Sequence, residues 1–409
     1  MERTESDEWR RGWRAVLAAG LGVATGLSLF AYVVSLFIRH YAAEFGWSRG
    51  EIAMTAIATL SAGLLAPALG RLADRVGTRP MIVACTVGYA LICGAMAAQP
   101  GAIWVYYVLY FLLVLFGIGT GSLTWTRAVS AGFVRSRGLA LSVALTLLTF
   151  SAMAMPPILH IVIETHGWRA AWLVLGGLAL AAGAAGLLLL GPQPISEPRS
   201  IGAEVSTLRE AARIPAFWFT VIGMFLINIP SGGIMNQMAA LIADRGFTPS
   251  QTAQAMSAFA FSVFLGRLVA GVCLDRFPTE RVAFVSMAAP AIGCMLLTEA
   301  LGGGAAMVVA GIALAGLSQG AEGDIGPYVV ARRFGLAAFS GMLGALGAAT
   351  IMGTAAGAFL FGRSFDATGG YDLALWIGAA AFLAGAICYL ALGGASAPPS
   401  SARPRARRA

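Results

Sequence analysis

The sequence predicts an all-α polytopic membrane protein in which twelve transmembrane helices form two pseudo-symmetric six-helix bundles. Three observations lead to this prediction: a strongly apolar composition, a series of apolar runs long enough to cross a bilayer, and an internal repeat. Hydrophobic residues make up 58% of the chain and charged residues 11%, whereas soluble domains average about 45–50% and about 25%. A soluble protein of this composition could not shield its apolar side chains from water, so a soluble fold is excluded.

The apolar runs give the number of helices, because a bilayer core needs about 20 apolar residues per helix. The sequence contains about twelve such runs, at 15–38, 51–73, 80–98, 102–126, 138–163, 170–190, 216–243, 251–274, 281–300, 305–330, 337–362 and 373–392. We expect four parts of the chain: a six-helix half over 1–190, a polar cytoplasmic linker over 191–215, a second six-helix half over 216–392 and a basic cytoplasmic tail over 393–409.

The arginines predict the orientation of these helices. All 27 basic residues are arginine, and with the N-terminus in the cytoplasm 21 of them lie on the cytoplasmic side, five lie outside and Arg267 lies within a helix. Because basic residues are enriched in cytoplasmic loops, we expect a multi-pass protein of the bacterial inner membrane with both termini in the cytoplasm. The distribution of the arginines among short loops also excludes a basic nucleic-acid-binding face.

The two halves of the chain repeat each other with a shift of about 201 residues. Gly70 and Asp74 in GRLADRVGTRP align with Gly271 and Asp275 in GVCLDRFPTER. The FGWSRGEIA turn after the first helix aligns with RGFTPSQTA after the seventh. A repeat of this kind predicts two halves related by an axis along the membrane normal.

The repeated loop also carries the first candidate functional site. An acid among arginines at the end of a transmembrane helix can bridge to a neighbouring helix in one state and release it in another, which makes it a conformational latch. The candidate latch residues are Gly70, Arg71, Asp74, Arg75, Gly77 and Arg79 in the first copy and Asp275 and Arg276 in the second. The alternative is a solvated basic loop that only sets the topology.

Residues 70–79 resemble the signature loop between helices two and three of the major facilitator superfamily, and 271–276 resemble a decayed copy of it. The FGWSRGEIA turn, GFVRSRGLALS before helix five and GWR before helix six are similar to the monocarboxylate and oxalate/formate antiporter branch. The resemblance covers nearly the whole chain. It implies the major facilitator fold and secondary active transport of a small monocarboxylate-type anion by alternating access, with proton coupling or exchange.

Transporters of this branch carry an arginine in helix eight that faces the substrate, and Gly266-Arg267 matches that position. The chain departs from the branch in two ways. Val263 stands where animal monocarboxylate transporters have an aspartate, and the chain has no lysine to match a family lysine in helix one or eleven.

The depth of Arg267 supports a role in binding independently of the resemblance. Arg267 is eight residues before Asp275, which places it roughly 12 Å inside the helix end. An arginine there costs about 2.5–3.5 kcal/mol unless it faces water or a partner. Its planar guanidinium suits a carboxylate, so we expect Arg267 to bind substrate. The alternative is a static ion pair that joins two helices.

Glu322 and Asp324 lie at about the same depth and are the candidate proton-coupling residues. Residues two apart on a helix point about 200° away from each other, so one carboxylate should line the pathway and the other should hold a helix contact. We expect Glu322 to pair with Arg267 until an arriving anion displaces it, after which the freed carboxylate takes a proton. The alternative is that both acids only hold helices together.

Uncharged polar residues on the central helices supply the remaining candidates. We select Tyr32, Asn228 and Asn236 as further substrate-binding residues, with helix packing and interhelical hydrogen bonds as the alternative. His160 and Glu164 lie near the outer end of helix five and fit a wetted loop edge better than an outer gate.

The sequence offers no sign of covalent chemistry. No Walker loop, HExxH or GxSxG motif occurs in a suitable context, so we expect no enzyme activity, no catalytic residue, no cofactor and no metal site. The expected partners are a small organic anion, protons and the lipid bilayer, with no nucleic acid, and we expect a monomer. Two other functions stay open: efflux of a drug-like or metabolic compound, and a transporter-like membrane solute sensor. The linker and tail are too short for an effector domain, which argues against the sensor.

Overall fold

The computed structural model describes residues 5–121, 125, 133, 137–190, 209–299, 304–334 and 339–393. The elements of regular structure in these residues are fifteen α-helices. In chain order they are α1 (Glu5–Val23), α2 (Leu27–Val33), α3 (Ser35–Phe45), α4 (Arg49–Ala53), α5 (Thr55–Val76), α6 (Thr78–Ala97), α7 (Ile103–Thr120), α8 (Arg137–His166), α9 (Trp168–Leu189), α10 (Pro215–Asp244), α11 (Pro249–Arg276), α12 (Thr279–Leu296), α13 (Ala305–Phe334), α14 (Phe339–Thr368) and α15 (Asp372–Ala391).

These helices occupy the predicted apolar runs in order, which confirms the all-α membrane fold. The first run is covered by α1 to α3 and the second by α4 and α5, whereas each later run holds a single helix. Within the described ranges, nine helices are long and apolar enough to cross a membrane, and the bent pair formed by α1 and α2 would make a tenth. The chain is therefore a multi-pass membrane protein.

The first membrane path is bent by 41° between residues 12–23 and 27–33. Gly26 stands at the bend, and a Cβ atom there would lie 2.2 Å from Thr120 Oγ1 on α7. The same hydroxyl accepts a hydrogen bond of 3.2 Å from the Leu27 N–H group. A larger residue at Gly26 would collide with α7, so this close approach requires glycine.

Two capping boxes show the internal repeat in the structure. At the start of α4, the Ser48 side chain accepts from the Glu51 N–H group and the Glu51 side chain accepts from the Ser48 N–H group. Thr248 and Gln251 make the same reciprocal pair at the start of α11. Each box satisfies backbone donors that a helix start leaves free. The repeated turn therefore folds in the same way in both copies.

The helices of each half pack around a hydrophobic core of their own. One core contains Tyr41 and Trp172 among the side chains of α2 to α9, and the other contains Phe361 among those of α10 to α15. Tyr32 and Leu36 pack against both cores. The middle of the first membrane path therefore lies on the seam between the two halves.

The bundle has two ends, which we name by the connections they carry. The far end carries the connections at 46–48, 245–248 and 369–371, and the near end carries those at 77 and 277–278. The predicted linker lies outside the described residues up to 208, and the predicted tail lies outside them from 394 onward.

Candidate functional site

Arg267 and Asp324 form a loose ion pair between α11 and α13. Arg267 Nε lies 3.7 Å from Asp324 Oδ2, and the two side chains are 34% and 39% exposed. That separation exceeds a normal hydrogen bond, and among the described residues Arg267 Nε has no hydrogen-bond partner. The guanidinium is thus close to one carboxylate without being saturated by it.

Glycines bring α11 and α13 close enough to form this pair. A Cβ atom at Gly266 would lie 2.0 Å from the Leu317 carbonyl oxygen, and one at Gly320 would lie 2.0 Å from the Val263 carbonyl oxygen. Small residues allow membrane helices to make such backbone contacts. Gly323 lies beside Arg267, because a Cβ atom there would be 3.5 Å from Nη2. These glycines therefore allow the close contact between the two helices and leave space for the Arg267 side chain.

Glu322 lies against α10 rather than beside Arg267. Its Oε1 atom accepts a hydrogen bond of 2.6 Å from Asn228 Nδ2, and both residues are buried. Asn228 Nδ2 also donates to the Met224 carbonyl oxygen at 2.8 Å. Glu322 Oε2 is buried without a hydrogen-bond partner among the described residues. The face of α13 towards α10 therefore carries a buried carboxyl group of which only one oxygen accepts a hydrogen bond.

The expected resting pair of Glu322 and Arg267 is therefore wrong, and Asp324 takes that position. The reason is the angle between residues two apart on a helix, about 200°. Because α13 turns Asp324 towards α11, it must turn Glu322 towards α10. The structure brings Arg267 together with Asp324, and Asn228 together with Glu322, as two separate pairs.

Tyr32 packs against α11 from the opposite half of the protein. Tyr32 is on α2, and its ring centroid lies 6.3 Å from that of Phe259 on α11. Phe259 precedes Arg267 by eight residues on that helix. Tyr32 thus contacts the helix that carries Arg267 from across the seam.

Asn236 lies in a different place from the other substrate-binding candidates. It lines a cavity of about 230 Å³ between α2, α5, α7, α10 and α14. The other polar side chains of this cavity are Thr55, Thr59, Tyr110 and Thr354, and the rest of its lining is apolar. The described contacts of Arg267 do not include Asn236, so the structure does not bring these two candidates together.

The candidate latch is described only in part. The helix α5 ends at Val76, and Gly77 adopts a left-handed φ of 94° that suits glycine. Arg79 Nη2 donates to the carbonyl oxygens of Leu187, at 3.0 Å, and Leu190, which lie at the end of α9. Arginine at this position satisfies free carbonyl groups of a helix end.

The remaining latch residues give less information. Arg75 and Arg276 are exposed in the last turns of α5 and α11. The side chains of Arg71, Asp74 and Asp275 and the surroundings of Gly70 lie outside the described part of the structure. A latch role for these residues stays a prediction.

Sequence reasoning missed a charged contact that joins the two halves at the far end. Arg49 on α4 meets Asp244 on α10 through two hydrogen bonds, of 2.5 Å from Nη1 and 3.1 Å from Nη2. Arg49 Nη1 also donates to the Tyr371 hydroxyl at 2.5 Å, and the guanidinium carbon lies 3.5 Å from the Phe365 ring centroid. Bidentate pairing with a carboxylate and stacking on a ring are both typical of arginine.

A second contact stands beside the first. Asp366 Oδ2 on α14 accepts from Ser48 Oγ at 3.0 Å and from the Gly50 N–H group at 2.8 Å. We call Ser48, Arg49, Asp244, Asp366 and Tyr371 the far-end clamp. Since its members come from both halves, the clamp holds the two bundles together at this end.

The clamp could hardly be predicted from the sequence. Arg49 counted only as one of five arginines on the outer side, and its partner Asp244 is 195 residues away. The one usable signal was the position of Arg49 directly after the helix cap Ser48.

Among the described residues, no group of three or more His, Cys, Asp and Glu side chains is placed to hold a metal ion.

Comparison with known proteins connects this architecture to a family. A family model described as Major Facilitator Superfamily matches residues 18–242 and 220–409. Monocarboxylate transporter 13 of Rattus norvegicus is 26% identical over 395 residues, which cover 94% of this chain and 90% of that protein. Monocarboxylate transporter 11 of Homo sapiens is 27% identical, with coverage of 93% and 83%. The multi-drug resistance efflux pump PmrA homolog of Lactococcus lactis subsp. lactis is 24% identical, with coverage of 70% and 72%.

Solved structures share the fold at low sequence identity. The nucleoside transporter NupG has a TM-score of 0.75 at 13% identity, over 94% of this chain and 99% of that chain. A bacterial homolog to the human lysosomal transporter Spinster, in an inward-facing and unoccupied conformation, has a TM-score of 0.68 at 14% identity, over 95% of both chains. At such identities the likeness concerns the fold alone.

Proposed function

This chain belongs to the Major Facilitator Superfamily, and from that premise we propose that it moves a small monocarboxylate-type anion across a bacterial inner membrane. It is a membrane transporter rather than an enzyme, as its family and its transporter relatives indicate. In our proposal both termini are cytoplasmic, so the far end faces outside. Transport is secondary and proceeds by alternating access.

The observation that carries the proposal is the incompletely paired guanidinium of Arg267. An arginine at this depth needs water or an anion to offset the cost of burial. Asp324 supplies a charge 3.7 Å away, yet it leaves the planar fork available for a carboxylate. An arriving anion competes with Asp324 for Arg267, and Tyr32 packs against α11 from the other half.

Proton coupling is assigned to Glu322. An unpaired carboxylate buried in a membrane protein is costly, and a proton on Oε2 removes that charge while Asn228 keeps its bond to Oε1. Glu322 and Asp324 lie two residues apart on α13. A movement of α13 that follows the release of Asp324 therefore also moves Glu322 relative to Asn228. Each event favours the other, which couples anion and proton.

The far-end clamp is the basis for proposing which end of the transporter is open. With Arg49 and Asp244 joined, the outer end is closed, and exchange with the binding region proceeds from the near, cytoplasmic end. The candidate latch around Asp74 acts at that near end, where it stabilises the opposite state. We propose that the two contacts alternate through the cycle.

Uptake into proteoliposomes tests the proposal. The purified protein should accumulate at least one of labelled pyruvate, lactate, oxalate or formate, and an imposed pH gradient should increase the accumulation. Protein-free vesicles and vesicles with an unrelated transporter serve as controls. If none of the four anions moves in net uptake or counterflow, the anion assignment is wrong.

Efflux of an apolar compound is the second candidate. The mainly apolar cavity around Asn236 favours it, and an efflux pump homolog is among the relatives. Efflux of ethidium from energised cells, lost in Asn236→Leu and kept in Arg267→Ala, would support efflux over anion transport. If the parent protein moves no ethidium, anion transport is left as the function.

A further inference from the structure

A second cavity lies at the far end, on the seam between the two halves. Its volume is about 290 Å³, and it is bounded by α3, α8, α10 and α11. Small-molecule sites begin at about 300 Å³, so the space is sufficient for a small organic molecule. We call this cavity the far-end pocket. It is separate from the region around Arg267 and from the cavity around Asn236, since neither residue lines it.

One face of α3 supplies the polar part of the pocket. Ser35, Arg39 and His40 line it together, because Ser35 and Arg39 are four residues apart and share a face of the helix, and His40 adjoins that face. Among the described residues, no ion pair of Arg39 is formed, although Arg49, Arg169 and Arg245 at the same end each have an acidic partner. The guanidinium of Arg39 is therefore available to an anion.

An unpaired hydroxyl group gives an independent indication of a ligand. Ser35 is fully buried, and its Oγ atom has no hydrogen-bond partner among the described residues. Buried hydroxyl groups in native structures are almost always paired. A ligand with an acceptor oxygen in the pocket would satisfy this donor.

The opposite wall determines which ligand fits. His160 and Glu164, expected at a loop edge, line the pocket from α8, with His160 Nδ1 4.0 Å from Glu164 Oε1. Among the described residues Glu164 forms no ion pair with Arg39, so it leaves that guanidinium unpaired. The remaining lining is apolar and includes Ala239 and Ala243 on α10. A carboxylate with a short apolar body matches this combination of cation and apolar wall.

We propose that the far-end pocket is a second, peripheral binding site for a small organic carboxylate, in which Arg39 binds the anion. The proposal deepens and rests on the proposed function, because it places a waiting site for the same class of substrate on the outer side. Ala243 in the pocket wall directly precedes Asp244 of the far-end clamp. An anion held at Arg39 is thus adjacent to the contact that must open before it can move inward.

Protection of an introduced cysteine tests the site in the full-length protein. Ala243→Cys is reconstituted into vesicles of neutral lipid and treated with a membrane-impermeant thiol reagent, with protein lacking the new cysteine as background. Benzoate is the probe, and benzamide, which has the same shape without the charge, is its control. We expect benzoate to slow labelling saturably, by about tenfold at ten times its Kd, and benzamide to have no effect.

Four further variants locate the effect. Arg39→Gln should abolish the protection while leaving the rate without benzoate unchanged. Arg169→Gln changes another far-end arginine outside the pocket and should keep it. Arg267→Ala should also keep the protection. If Arg267→Ala transports normally as well, the proposed function is refuted, but the proposal for the far-end pocket is not. Ser35→Ala should weaken the protection, which gives a second reading if Arg39→Gln folds poorly.

Four results would overturn the proposal. They are no protection in the parent protein, equal protection in Arg39→Gln, loss of protection in Arg267→Ala, and protection that depends on anionic lipid in the vesicles. The third would mean that the effect is transmitted from the central region. The fourth would mean that a lipid headgroup occupies the pocket.

Discussion

The Asn228 side-chain amide donates a hydrogen bond of 2.6 Å to Glu322 Oε1, while Glu322 Oε2 is buried without a partner in the described structure. This pair joins α10 to α13 at a depth where an ionised acid is costly. It is the feature on which proton coupling depends in our account.

Replacing Glu322 with glutamine should separate accumulation from exchange. Glu322→Gln keeps an acceptor for Asn228 but is permanently neutral, so pH-driven accumulation should disappear while counterflow persists. Net uptake and counterflow, measured in the same vesicles, check this. Glu44→Gln, in the exposed ion pair with Arg169, is the matched control, and it should retain dependence on the pH gradient. If Glu322→Gln accumulates substrate like the parent protein, Glu322 only holds α10 and α13 together.

The far-end clamp predicts that its two charges act as a pair. Arg49→Asp or Asp244→Arg places like charges together, so the far end should open more often, by on the order of tenfold for a partly buried pair. The double exchange Arg49→Asp with Asp244→Arg should restore part of the closure. It cannot restore all of it, because Arg49 also contacts Tyr371 and Phe365.

Labelling of a cysteine at Asn236 from outside measures this opening, because Asn236 lies eight residues before Asp244 on α10 and lines the other cavity between the halves. Glu44→Gln is the control, since Glu44 pairs with Arg169 in an exposed ion pair within one half, and exposed pairs contribute little. Equal labelling in both single variants and the parent protein would mean that the clamp does not govern closure.

The candidate latch predicts unequal effects of its two acids. Asp74→Asn keeps the volume and polarity but removes the charge, so we expect normal membrane insertion with strongly reduced transport. Asp275→Asn should reduce transport less, because the second copy of the loop retains few of the residues that surround Asp74 in the first copy. Transport at the parent rate in Asp74→Asn vesicles would reduce the loop to a topology signal.

The proposed orientation predicts which residues are accessible from each side of the membrane. Single cysteines at Ser200 and Ser400 should be labelled from the cytoplasm, and those at Gly101 and Gly303 from outside. The arginine distribution is the physical reason. Labelling of Ser200 and Gly101 from the same side is incompatible with this topology.

The fold could be predicted from the sequence because the bilayer fixes helix length and composition. Most helices lie within a few residues of their predicted runs. The first helix begins ten residues before its run, at Glu5, and α14 extends beyond its run to Thr368, because polar residues can continue a helix past the apolar core. The position of Arg267 within a membrane-spanning helix could be predicted in the same way. These properties depend on local sequence alone.

Long-range partners could not be predicted, because no spacing rule connects them. The helical angle between Glu322 and Asp324 predicted that they would diverge, but which acid meets Arg267 depends on how α13 is rotated against α11. The glycine contacts at Gly266 and Gly320 set that rotation. Likewise, Arg49 and Asp244 meet only because the halves pack at the far end.

Counterflow in Arg267 variants tests the central claim most directly. Vesicles loaded with unlabelled substrate take up labelled monocarboxylate, and the initial rate is compared for the parent protein, Arg267→Lys and Arg267→Ala. An ammonium keeps the charge but not the bidentate fork, so we predict that both variants lose counterflow to a similar extent, while Arg169→Lys keeps it. Parent-like counterflow in Arg267→Ala would contradict the account, because it would reduce Arg267 to a structural partner of Asp324.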